Sequence, residues 1–369
     1  MATLALPVRR GALAGMGTGI PLAIGMTGTV LSWFGAGWDV SWHRIFGRDT
    51  FWSAPHLFIY TGVALWGIAA LLATFTAMAG RPVRGRAMEI GPFRAELGFA
   101  LIGFGALVTI LAGPFDNLWH AAFGRDVDIW SPPHVAGIAG GVVGLLGWVA
   151  AFQPGVFRIS EPLRRTLLLV TLGNIGAITV FAMNFYYITA STREGFFYPL
   201  LVIALVPFTL GVAAVAMPGR WSATAAAAAY TAIALVAFVM LAGSGWRAPA
   251  FPPLIVAGAL AIDLARGRGE SRPFVLALLF AIAFVAAELA RMVLVPPPVP
   301  GAALGGVEPR LSTLFMQYYE QAVARPWLSL WPWLAAIVGA PFGAAAWRAG
   351  RSVASRLAND PDAEPLAHP

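Results

Sequence analysis

The chain contains no cysteine and no lysine, and only five histidines in 369 residues. Without cysteine there are no disulfides, no thiolate metal sites and no blue-copper ligand set within the chain. Without lysine, the positive side chains behind the net charge of +7 are all arginines. Charge of either sign is scarce, at 11% of residues, against roughly 25% in soluble domains. Hydrophobic residues make up 59% of the chain and the mean hydropathy is +0.74. Apolar runs of about 20 residues recur along the whole length, each long enough to cross a bilayer core of ~30 Å. This composition predicts an all-α, polytopic membrane protein. Arg9 and Arg10 precede the first run and no clear small-residue cleavage site follows it, so no cleavable signal is expected.

Ten spans are expected, at about 11–34, 55–79, 95–114, 133–153, 166–189, 196–217, 223–244, 250–265, 273–295 and 327–347. The eighth is the weakest, being short and opening on Phe251-Pro252-Pro253. Arginines gather at alternate ends. Arg9 and Arg10 precede the first span, Arg81 to Arg94 follow the second and Arg158 to Arg165 the fourth. Arg220 follows the sixth, Arg266 to Arg272 the eighth and Arg348 to Arg356 the tenth. One side of the membrane is therefore consistently positive and is expected to be cytoplasmic, with both termini inside, in a bacterial-type inner membrane. The same charge pattern reads as topology and not as nucleic-acid binding. A Pro-rich stretch, an amphipathic segment from Leu311 to Val323 and a belt of Trp327, Trp331 and Trp333 suggest a helix on the outer interface. The polar tail after Arg356 is expected to be loose.

Four of the five histidines lie in a segment that is written twice. Trp38 to His56 and Phe115 to His134 agree at eleven positions when one residue is inserted in the second copy. Spans one and two form a hairpin around the first copy, and spans three and four one around the second. The two hairpins are expected to be parallel repeats. Small residues four apart, Gly11 with Gly15, Gly137 with Gly141 and Gly140 with Gly144, favour close helix packing. The expected organisation is a duplicated four-helix metal-binding unit over 1–153, a six-helix unit over 154–347 and a cytoplasmic tail over 348–369.

Asp39 and His43 are four residues apart, as are Asp116 and His120. On a helix that spacing places both on one face. Ser-x-Pro precedes a second histidine in each copy, and a turn there returns His56 to Asp39 and His43, and His134 to Asp116 and His120. Each copy then offers one carboxylate and two imidazoles, a set suited to copper, zinc or iron(II). Bis-histidine haem would not require the repeated aspartates. Arg48-Asp49 and Arg125-Asp126 recur as well, either orienting the imidazoles or serving as interfacial salt bridges and helix caps. Trp42, Trp52, Trp119 and Trp130 are read as interfacial anchors, and Asp128 as a loop residue. Glu288 and Arg291, three apart in the ninth span, are expected to pair. Asp263, near an inner end, is expected to meet solvent or an arginine.

The pattern D-x-x-W-H-x-x-x-x-R-D-T with a downstream S-x-P-H resembles the metal-binding segment of the C subunit of particulate methane and ammonia monooxygenases. Over roughly residues 30–150 the resemblance implies one copper site at Asp39, His43 and His56 and a second at Asp116, His120 and His134. The family usually has asparagine where this chain has Asp116, and a carboxylate there favours iron(II) or zinc more than the amide does. The resemblance implies O₂-dependent oxidation of a small apolar substrate or ammonia, in contact with membrane lipid and beside other monooxygenase-type subunits or in a homo-oligomer. The competing expectations are a structural subunit whose metals hold the hairpins together, and a protein that transports or stores copper or zinc. The six later spans have no counterpart in the resemblance.

Overall fold

A backbone inside hydrocarbon has no water to bond, so long apolar runs satisfy their amides as helices. The computed structural model describes residues 19–46, 50–80, 82–91, 93–123, 131–184, 195–246, 252–294 and 329–358. These form α1 (Gly19–Phe46), α2 (Ala54–Met78), β1 (Ala87–Ile90), β2 (Phe93–Glu96), α3 (Leu97–Phe123), α4 (Pro132–Ala151), α5 (Glu161–Asn184), α6 (Phe197–Ala216), α7 (Ser222–Gly243), α8 (Ile255–Gly267), α9 (Pro273–Leu294) and α10 (Trp331–Leu357). The all-α, polytopic architecture is as expected. Eight of the ten helices are long and apolar enough to cross a membrane. Helix α8 has only 13 residues, and α10, though 27 residues long, is diluted by tryptophan, proline and its terminal arginines. The only sheet among the described residues is a small antiparallel hairpin, with Ala87 opposite Glu96 and Ile90 opposite Phe93. Gly11, Gly15, the segment Leu311 to Val323 and the tail from residue 359 lie outside the described residues.

The duplication is carried by backbone contacts as well as by sequence. Eleven residues before each aspartate stands a glycine, and six after each closing histidine stands another. A Cβ on Gly28 would lie 2.5 Å from Gly62 O, and one on Gly105 would lie 2.5 Å from Gly140 O. Helices α1 and α2 therefore touch backbone to backbone, and α3 and α4 repeat the contact in the same register. One hydrogen bond recurs with it. Ser32 Oγ donates to Ile59 O at 3.4 Å, and Thr109 Oγ1 donates to Gly137 O at 3.2 Å. Where the copies differ they interlock, because Trp66 occupies the space that a side chain on Gly144, its equivalent, would need. Trp66 also donates its indole N–H to Thr29 Oγ1 at 3.0 Å. A buried cluster containing Trp66, Phe99, Trp148, Leu168, Val212 and Ala354 continues from the hairpins into the later helices.

Two fully buried carboxylates organise those later helices. Asp263 accepts from Thr224 N and Thr224 Oγ1, both at 2.8 Å, and so caps the first turn of α7. Glu288 accepts from Leu254 N at 2.6 Å and caps α8. Each pairs with the arginine three residues on, Asp263 with Arg266 at 3.1 Å and Glu288 with Arg291 at 2.6 Å. The expected Glu288–Arg291 pair is thus present, and Asp263 meets its arginine and not solvent. The arginine-bearing ends gather at one end of the bundle. There Arg86 donates to Arg356 O, Arg164 donates to Phe152 O at 2.9 Å, and Arg266 lies over the Trp347 ring.

Gly140→Ala sets a methyl group against backbone and is expected to destabilise the protein by about 1–3 kcal/mol, read as a lower melting temperature in detergent. Gly67→Ala, whose added atom meets nothing nearer than 4.0 Å, is expected to leave it unchanged. Glu288→Ala removes the carboxylate that pairs with Arg291 and caps α8 and is expected to destabilise by about 3–5 kcal/mol. Replacing both partners with apolar residues should recover much of that loss.

Candidate functional site

Helices α1 and α3 continue well past the expected ends of the first and third spans, through Phe46 and Phe123. Asp39 and Asp116 therefore lie on continuous helix, near the end of the bundle opposite the arginines. Helix α3 carries Pro114 in its interior without ending there. The closing histidines are placed by their own local sequence. Ser53 and Ser131 stand at the N-caps of α2 and α4, with proline in the first two helical positions, where its missing N–H leaves no bond unmade. His56 and His134 then fall in the first turn of each helix, facing back to the aspartate across the hairpin.

In the first copy His56 Nε2 lies 3.4 Å from Asp39 Oδ1. His56 Nδ1 is 3.0 Å from Thr50 O. A carbonyl oxygen only accepts, so Nδ1 carries the proton in that bond. In the neutral ring Nε2 then presents a lone pair to a carboxylate oxygen. The arrangement is attractive only with a cation between or upon these atoms, either a proton or a metal. A charge-assisted N–H···O bond closes to about 2.7–2.9 Å. Two ligands of one tetrahedral zinc or copper ion, each about 2.0–2.1 Å from it, stand roughly 3.3 Å apart. The observed 3.4 Å is ion-pair distance, and the same separation would also suit two ligands of one ion. His43 lies on α1, and its side chain is outside the described residues.

The second copy repeats the pairing and adds its other imidazole. His134 Nε2 is 3.5 Å from Asp116 Oδ1, and His120 Nε2 is 3.4 Å from Asp116 Oδ2. Ser131 Oγ lies 3.0 Å from His134 Nδ1, fixing the ring from behind as ligand imidazoles are commonly fixed. The structure thus brings Asp116, His120 and His134 together as expected. The two imidazoles, however, lie against different oxygens of one carboxylate, with ring centroids 6.5 Å apart. As the side chains stand, no group of three or more His, Asp or Glu among the described residues closes around one point to hold a metal ion. The donor chemistry fits a cation, and a single site in this copy requires the two rings to swing towards each other.

Both carboxylate–histidine pairs line one cavity of about 350 Å³. Asp39, His56, Asp116 and His134 stand on its wall beside apolar side chains that include Trp33, Ile59, Val63, Leu145 and Ile178. Tyr60 also lines it, its ring centroid 5.7 Å from that of His56. The far wall comes from the later helices, through Asn174 on α5 and Tyr230 on α7. The motif gave no hint of these two. The signal available for Asn174 was a lone amide in the run LLLVTLGNIGAITV, since polar residues within spans tend to be functional. Tyr230 follows a run of alanines and carried no such mark.

Arg48, Asp49, Arg125, Asp126, Asp128 and Trp130 lie outside the described residues. Trp42 packs inside the protein as well as near its end, stacked on Trp246 at 5.9 Å with Trp38 edge-on to the same ring. Trp52 is 71% exposed, consistent with an anchor. Trp119 packs against Phe123 with centroids 4.4 Å apart.

In ¹⁵N-histidine spectra of chelator-treated protein, His56 is expected to be protonated at Nδ1. Added zinc should then move its Nε2 resonance and leave Nδ1 protonated; an Nε2–H tautomer would contradict the geometry above. Comparison of the chain with family models, curated proteins and solved structures finds no match.

Proposed function

We propose that this protein is a membrane-embedded metalloprotein that oxidises a small apolar substrate with O₂, in the manner of the particulate monooxygenase C subunits its motif resembles. Asp39, His43 and His56 would hold one ion and Asp116, His120 and His134 another. Copper is the metal that the resemblance favours, with iron or zinc as alternatives. Bound copper would supply the redox chemistry that activates O₂, with two electrons drawn from an external reductant so that the second oxygen atom leaves as water. The residues of the chain do the rest. Thr50 O and Ser131 Oγ hold the imidazoles at Nδ1 so that Nε2 faces the carboxylates. The apolar wall excludes bulk water and admits a molecule that partitions from the bilayer. The observation that carries this reading is the carboxylate–imidazole pairing, repeated in both hairpins on the wall of one apolar cavity.

The arginine distribution supports a cytoplasmic location for the Arg86–Arg356 end, both termini inside and the metal sites towards the outer face. Other monooxygenase-type subunits, or further copies of this chain, are the expected partners. Because the chain has no cysteine, single cysteines at Glu89 and Thr50 should react with an impermeant maleimide from opposite faces of oriented vesicles.

Elemental analysis of purified protein is expected to find up to two coppers per chain, with about one lost in His56→Ala and one in His120→Ala. O₂ uptake on an apolar substrate should fall with each. Stoichiometric zinc, with a melting temperature that drops on chelation and no oxidation chemistry, would instead favour metals that hold the hairpins together. Folded protein that binds no metal after reconstitution would overturn the proposal.

A further inference from the structure

The far wall of the cavity carries two hydrogen-bonding groups that the carboxylate–histidine clusters do not use. Asn174 is 8% exposed and Tyr230 is 3% exposed. Their helices touch closely, since a Cβ on Gly173 would lie 3.0 Å from Tyr230 N. Asn174 donates one amide hydrogen to Val170 O at 2.8 Å. Among the described residues its Oδ1 and the Tyr230 hydroxyl have no hydrogen-bond partner, although both side chains line the cavity. Buried polar groups without partners are costly, and here both residues line the cavity. On the wall of one cavity a phenol hydroxyl and an amide oxygen offer one donor and one acceptor. A ligand hydroxyl satisfies both, accepting from Tyr230 and donating to Asn174.

Size and charge narrow the ligand further. A cavity of about 150 Å³ holds benzene, so 350 Å³ has room for roughly ten to fourteen carbon and oxygen atoms. A one-carbon substrate or ammonia would leave most of it empty. Asp39 and Asp116 line the cavity, and no arginine among the described residues does, so an anionic head group is disfavoured. We infer that the cavity binds one neutral, mostly apolar alcohol of about ten carbons. Its hydroxyl rests between Tyr230 and Asn174, and its hydrocarbon end runs towards the two clusters. This inference deepens the proposed function by naming the substrate class, and rests on it only for what happens to the molecule once bound.

The test uses full-length protein in lipid nanodiscs, stripped of metal by chelation. Trp33 and Trp66 line the cavity, so bromine on a bound ligand quenches their fluorescence. The probes are 10-bromodecan-1-ol, 1-bromodecane and 10-bromodecanoate. Saturable quenching is expected from the alcohol at one molecule per chain, at least about tenfold tighter than from the other two. It should be lost in a Trp33→Phe, Trp66→Phe double variant. Tyr230→Phe, which keeps the ring, and Asn174→Leu should each weaken the alcohol about tenfold and leave bromodecane unchanged. Equal binding of alcohol and alkane, no response to Tyr230→Phe, or only unsaturable quenching would overturn the inference. So would a phospholipid that occupies the cavity at one per chain and blocks the probe. Metal content, measured on the same variants, separates the two proposals. Alcohol binding without any metal affinity sinks the oxygenase alone, and metal binding without saturable alcohol binding sinks this inference alone.

Discussion

The close backbone contact within each N-terminal hairpin is the constraint on which the rest depends. Two helices in lipid gain little from hiding apolar side chains, because the solvent is itself apolar. They gain from dispersion and from polar contacts made at short range, and glycine permits that range. Gly28 against Gly62 and Gly105 against Gly140 fix how far each helix slides along its partner. That register brings Ser32 to Ile59 O and Thr109 to Gly137 O. At the end of the bundle it brings Asp39 to His56 and Asp116 to His134. A bulkier residue at the crossing would separate each carboxylate from its imidazole several turns away.

Duplication with small differences shapes what lies between the hairpins. Each copy contributes a carboxylate and an imidazole to a common cavity, but Trp66 in one stands where Gly144 stands in the other. The large side chain of one hairpin thereby fills the room left by the small one of its neighbour. Tyr60 sits one turn after His56, whereas Ile138 holds that place after His134, and both line the cavity. The later helices close the space with Asn174 and Tyr230. They are held in turn by Asp263 and Glu288, each of which caps one helix while pairing with an arginine on its own.

Much of this was legible in the chain. Long apolar runs can only be helices in a bilayer, and eight long apolar helices are found. The i,i+4 spacing of Asp116 and His120 and the Ser-x-Pro-His turn predicted the meeting of Asp116, His120 and His134. The Glu288–Arg291 pair was legible too, since an ion pair three residues apart needs no tertiary information. Helix ends were less legible: α1 and α3 pass the expected boundaries because polar residues such as Asp39 and Asp116 are tolerated once a neighbouring helix supplies a partner.

The sequence alone determined the elements and their local chemistry: helices from apolar length, a duplicated acid–imidazole motif from its spacing, and helix starts from Ser and Pro. Those properties depend on residues within a few turns of one another. Only the tertiary structure decided that both copies share one cavity, that Trp42 stacks on Trp246, and that Asn174 and Tyr230 form the far wall. Such relations join residues tens or hundreds of positions apart, and they follow from which helix faces fit together at close range, a property of three-dimensional shape that periodicity along the chain does not record.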